Sequence, residues 1–149
     1  SRCVGKSDIH DTMSDIVDET LRYWRQTPFE YGQHDCLLSI GDYIAITGGV
    51  DISATFRGKY YSEQEARNFV HQHEGPQGLI DLTGLPQIDP CDAVRGDVVV
   101  LDTGTGSDGS VGAICTGQGV AARLERGVIE IDLKYVKITH AWKVGQCQQ

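Results

Sequence analysis

The stretch "PFEYGQHDCLLSIGDYI" (residues 28–44) opens as a turn and closes as an apolar helix, with a cysteine at the seam. Asp35 is a good helix N-cap, because its carboxylate accepts from the free amides of the first turn. The spacing predicts a helix over 35–47 with Cys36 at its first position. Leu37, Leu38, Ile40, Tyr43, Ile44 and Ile46 cover most of its circumference, the pattern of a buried helix. Gly48-Gly49 supplies the left-handed conformations that end it. A thiol at this place sits at the positive end of the helix dipole, which favours the thiolate and predicts a lowered pKa. The other reading of the same residues is a cysteine that only packs.

Moving outward, residues 1–11 read as an irregular arm. A first helix is predicted over 12–26, with Met13, Ile16, Val17, Leu21 and Trp24 as its apolar stripe. Thr27-Pro28 stops it, since the residue before proline avoids the helical region. Beyond the central helix, "VDISATFRGKY" (50–60) reads as an irregular connection. In it Arg57 is expected to pair with a carboxylate such as Asp42 or Asp51, and Tyr60 to cover an end of the central helix. "SEQEARNFVHQH" (62–73) opens with a capping box, Ser62 as cap and Glu65 reaching back, and predicts a third helix. "GPQGLIDLTGL" reads as a short fourth, with Pro76 near its start and Gly84 past its end. After Pro90 the texture changes to short β-rich runs: "GDVVVLD", "SVGAICTG", "VAARLE", "VIEIDL" and "VKITHAWKV". Helices followed by strands is the α+β pattern, with a mainly antiparallel sheet. "GTGSDGS" (104–110) reads as a polar hairpin loop.

The chain has 149 residues, the size of one domain, and 40% of them are apolar, enough for a core. Its net charge of −8 excludes the basic face that nucleic-acid or membrane-surface binding needs. No apolar run approaches the roughly 18 residues of a membrane span, so no membrane insertion is expected. "SRCVGKSDIH" has no apolar core of a secretory leader, and none is expected. Cys3, Cys36, Cys91, Cys115 and Cys147 are an odd number without a C-x-x-C pair, which reads as reduced thiols and argues against a zinc site. His71 and His73 are two apart and do not share a helix face. No metal or cofactor is expected. The glycine-rich pieces lack the phosphate-loop pattern and read as turns.

Several motifs occur together. "FEYGQHDC" (29–36), "RGDVVVL" (95–101) and "VGAICTGQG" (111–119) resemble the Asp-Cys helix start and the two sheet strands of the NlpC-like cysteine peptidases. With Trp24, "TGGVD" (47–51), "FRGKY" (56–60) and "AWKV" (141–144), the pattern looks closer still to a phage tail-associated branch of that superfamily, a domain-of-unknown-function family. The resemblance spans about residues 20–145. It implies a papain-like fold over residues 12–149, with N-terminal helices packed on a C-terminal, mostly antiparallel five-stranded sheet. It also implies a place in the virion, at the tail tip or baseplate, with hub and distal tail proteins as partners and peptidoglycan as a possible target.

The resemblance makes Cys36 the nucleophile position and Asp35 its helix cap. Hydrolytic relatives carry a histidine at the head of the second strand; here Ser110 stands there, and a hydroxyl cannot accept a proton near neutral pH. Leu37 and Leu38 replace the small residues after the cysteine, and Leu38 is expected to crowd the cleft. The third polar member should fall near residues 120–123; Gln118, just before them, is the nearest amide. His34 and His140 are the histidines that could substitute as base. Two readings result: a structural tail-tip protein with a degenerate site, and an active cell-wall peptidase or amidase using Cys36. Composition alone leaves a third, a small binding or inhibitor domain.

Overall fold

The structure, a computed structural model, describes residues 6–103 and 109–145, with side chains described from residue 16 onward. Cys3, Cys147, residues 1–5 and most of the 104–110 loop therefore lie outside it. Five helices precede the main sheet: α1 (Lys6–Gln26), α2 (Cys36–Ile46), α3 (Ile52–Phe56), α4 (Glu63–Gln72) and α5 (Gly75–Asp81). Six strands follow: β1 (Gln87–Ile88), β2 (Val98–Asp102), β3 (Ser110–Cys115), β4 (Gly119–Leu124), β5 (Gly127–Asp132) and β6 (Lys137–Trp142). They form one sheet in the order β1-β6-β2-β3-β4-β5, antiparallel at every pairing. The α+β class stands. Among the described residues no helix is long and apolar enough to cross a membrane.

Three expectations are corrected. The sheet has six strands rather than five: β1, two residues between Pro86 and Pro90, is too short to show a period and is held at the edge by β6. The first helix begins at Lys6, so residues 6–11 continue it and are not part of an arm. The connection after α2 contains the helix α3, capped by the Asp51 carboxylate accepting from Ala54 N at 3.1 Å. The α4 capping box forms in a variant register. Ser62 accepts from Glu65 N, while Glu65 Oε1 reaches past Ser62 to accept from Tyr61 N at 2.7 Å.

The sheet is apolar on both faces because its residues alternate. Val98, Val100, Ile114, Ala121 and Trp142 turn toward the helices, where they meet Val17, Leu21 and Trp24 of α1 and Ile40, Tyr43 and Ile44 of α2. Val99, Leu101, Ala113, Val120, Ala122 and Ala141 form a second buried cluster on the opposite face. α2 is buried over Leu38–Gly41 and at Tyr43 and Ile44, but Ile46 is exposed, so the helix is less enclosed than its composition suggests.

Polar anchors fix the layers. Asp97, 1% exposed, accepts from Val94 N and Val144 N, and burial raises its pKa. Tyr43 donates to Gly96 O at 2.6 Å, tying α2 to the turn before β2. Arg57 pairs with Asp42 at 2.7 Å and donates to Gln33 O, the latch read from the sequence. The strongest anchor is Arg123 on β4. It is 3% exposed, and its guanidinium donates to the main-chain oxygens of Trp24, Thr27 and His34, binding the end of α1 and the loop before Cys36 to the sheet. Burial lowers its pKa.

Replacing Arg123 with Leu leaves the Trp24 and Thr27 carbonyls without their donor, while the His34 carbonyl keeps only Glu30 N. At about 1–3 kcal/mol for each unsatisfied buried group, Arg123→Leu is expected to lower unfolding stability by about 3 kcal/mol or more in urea denaturation, with Arg123→Lys recovering only part. A change below about 0.5 kcal/mol, the size of an ordinary surface substitution, contradicts the anchor.

Candidate functional site

The 28–36 turn is shaped by Gly32. Its φ is +82°, and a Cβ there would lie 1.8 Å from the Tyr60 carbonyl oxygen, so only glycine fits. Gly58 N donates to Gly32 O at 2.9 Å, which docks the 56–60 segment on this turn. Glu30 and His34 pair across it as an isolated bridge. The chain then enters α2 at Asp35, as the sequence predicts. Asp35 Oδ1 accepts from Leu38 N at 2.9 Å. Its Oδ2 accepts from Gly32 N at 2.9 Å and from the Tyr60 hydroxyl at 2.6 Å. Asp35 is 3% exposed, and each of its oxygens has a donor. Burial first, then the Asp35 charge, hold the Tyr60 phenol well above its usual range.

Cys36 opens α2 and faces β3, its Sγ 3.5 Å from the Gly112 carbonyl oxygen. β3 and β4 are paired only over Ile114–Cys115 and Val120–Ala121. Past that point Ser110, Val111 and Gly112 on one strand and Leu124 and Glu125 beside the other line a cavity of about 690 Å³. Cys36, Leu37 and Ile40 of α2 reach it from one side, Phe29 and Tyr31 from the turn, and α4 and α5 close the far wall. The helix start and the strand thus meet at this cavity.

The electrostatics differ from the expectation. Burial pushes the Cys36 thiol up to about 12, and the Asp35 carboxylate beside it acts in the same direction. The helix terminus does not win: the capping carboxylate, which accepts from Leu38 N, also places a negative charge next to the sulfur, and desolvation penalises the thiolate.

Of the remaining candidates, Ser110 lines the cavity with Cys36. His34 and His140 do not. The His34 ring sits edge-on to Tyr23, with centroids 6.4 Å apart, on the α1 side of the turn. His140 is held on β6, in register with Val100 of β2, which pairs in turn with Gly112. Two strand spacings of roughly 4.8 Å therefore separate its backbone from that of Gly112. Its ring stacks on Trp142 and its Nδ1 lies 2.9 Å from Thr139 Oγ1, next to a bulge in the β2–β6 ladder. Gln118 lies in the β3–β4 turn and lines no part of the cavity. Leu38 is 1% exposed in the core; Leu37 is the one that faces the cleft.

Sequence reasoning singled out Tyr60 as a cover for an end of the central helix but not its partner: its hydroxyl completes the Asp35 site from 25 residues away. Two contributors were missed. Arg123 occupies the β4 end where an amide or imidazole was sought. His71, on the α4 face toward the cavity, was legible as half of a pair not sharing a face with His73, which packs against Phe56 and Phe69. Among the described residues no group of His, Cys, Asp and Glu side chains could hold a metal ion.

Fold and site define an α+β domain with a cysteine-bearing cleft between a helical wall and an antiparallel sheet. Residues 10–144 match the family described as a domain of unknown function (DUF6950), and the chain belongs to that family. No curated protein and no solved structure matches the chain.

Tyr60→Phe removes one charge-assisted hydrogen bond from a buried carboxylate. It is expected to cost about 2 kcal/mol of unfolding stability, the middle of the range for hydrogen bonds to charged groups, measured by denaturant titration. An unchanged midpoint means that the hydroxyl does not hold Asp35.

Proposed function

We propose that this protein is a phage tail-tip or baseplate component that keeps an NlpC-like, papain-type fold while its cleft has lost peptide-bond cleavage. The observation that carries the reading is the composition of the cleft around Cys36. The thiol lies at a helix start facing a sheet strand, the arrangement of a cysteine hydrolase. Yet Ser110 occupies the strand position where an imidazole is needed, and burial with Asp35 keeps the sulfur protonated. Thiol catalysis of amide cleavage requires a thiolate and a partner that returns the proton to the leaving amine. Neither His34 nor His140 supplies it. The assignment to the tail, with hub and distal tail proteins as neighbours in the virion, rests on the sequence resemblance described above.

A second reading, an active peptidoglycan peptidase or amidase with Cys36 as nucleophile, is favoured by one observation: His71 lines the same cavity as Cys36.

Two measurements separate them. Particles carrying Cys36→Ala are expected to assemble and to keep their plaque titre within about threefold, less than 1 kcal/mol of effect by the usual conversion. Purified protein is expected to release no soluble fragments from peptidoglycan above the Cys36→Ala background. Assembled Cys36→Ala particles that lose infectivity, together with fragment release abolished by both Cys36→Ala and His71→Ala, support the hydrolase instead. In Ser110→His the imidazole is restored, and alkylation of Cys36 by iodoacetamide near neutral pH is expected to speed up at least about tenfold.

A further inference from the structure

The cleft carries a charge pattern that the loss of catalysis does not explain. Glu63, Ala66, Arg67, Val70 and His71 recur at three- and four-residue spacing on α4, and all of them line it. Arg67 lies 2.8 Å from Glu63, so that pair largely neutralises itself. Glu74 follows α4, and Glu125 follows β4; both are exposed, and both line the cavity. Among the described residues neither forms an ion pair. Asp35 adds a buried carboxylate whose donors are two amides and a phenol, none of them cationic. Arg67 and His71 are the basic side chains of the lining.

The interior of the same cavity is apolar, with Leu37, Ile40, Val70, Ile80 and Leu124 on its walls. Low-dielectric walls beneath carboxylates of one sign concentrate a negative potential at the mouth. Tyr31 lines the same cavity, and its hydroxyl is raised by burial first and then by Glu125 and Glu63, with Arg67 opposing. The volume of about 690 Å³ falls within the roughly 300–1,000 Å³ of ligand pockets. That is room for a short extended segment and not for a folded domain.

We infer that the cleft binds a linear peptide segment carrying a basic side chain. The apolar residue beside it packs on the partly exposed Leu37, Val70 and Leu124, and the ammonium or guanidinium is held at the mouth by Glu74 and Glu125. The inference requires no bond cleavage and stands whether or not Cys36 acts as a nucleophile.

The test uses three blocked tripeptides, acetyl-Ala-Lys-Leu-amide and its Gln and Glu counterparts, titrated into the whole protein and followed by amide NMR shifts. The Lys peptide is expected to bind, with shifts centred on residues 110–112 and 70–75, and the Gln and Glu peptides to bind successively more weakly. Glu74→Gln/Glu125→Gln is expected to weaken the Lys peptide about fivefold, as two exposed ion pairs allow, and added salt to do the same. Glu19→Gln, on the exposed face of α1, is expected to leave binding unchanged. Equal affinity for all three peptides overturns the inference. So do shifts confined to other surfaces, or no shifts at millimolar peptide in a folded protein.

Discussion

The site depends on one carboxylate. Asp35 is buried, and its two oxygens take three donors from three parts of the chain: the 28–36 turn, the first turn of α2, and the 56–60 segment. An isolated buried carboxylate is costly, and one with every oxygen engaged is a rigid joint. Through it, Gly32 is held against Tyr60, α2 starts at Cys36 and nowhere else, and the sulfur is aimed at Gly112. Arg123 completes the joint from the sheet side, since it grips the backbone of His34, immediately before Asp35.

The same joint sets the chemistry. The carboxylate that caps the helix takes one of its free amides, Leu38 N, and offsets the positive field of the others at the thiol. Its own charge then adds to the burial that keeps the thiol protonated. A neighbouring imidazolium could reverse that balance, but β3 presents Ser110, β6 holds His140 two strands away, stacked on Trp142, and His71 stands on the α4 wall of the cavity rather than on the strand facing the sulfur. What remains is a shaped, partly apolar cleft with carboxylates at its mouth.

Much of this was legible in the sequence, and the reasons for the exceptions are physical. Asp35 as cap, Cys36 as first helical residue, Gly48 after α2 and the five longer strands follow from local patterns of period and capping; for Arg57 residue type left Asp42 and Asp51 open, and the fold selects Asp42 because Asp51 caps α3. β1 could not be read, because two residues between prolines carry no period and the strand exists only through its pairing with β6. α3 was hidden by its length, a single turn whose only local sign is the Asp51 cap. The raised Cys36 pKa was missed because burial and a neighbouring charge are tertiary facts, whereas the helix dipole is local. Arg123 was invisible for the same reason: an arginine in a strand pattern gives no hint that it will be enclosed by three carbonyls from residues 89 to 99 positions away.

The most direct test is a difference absorbance titration in the thiolate band, wild type minus Cys36→Ser, on folded protein. A sulfur held neutral by enclosure and by its capping neighbour gives no difference signal at neutral pH, and the band emerges only on the way to about pH 12. A full thiolate signal from residue 36 at neutral pH would mean that the helix field dominates, and the account of an inert cleft would be wrong.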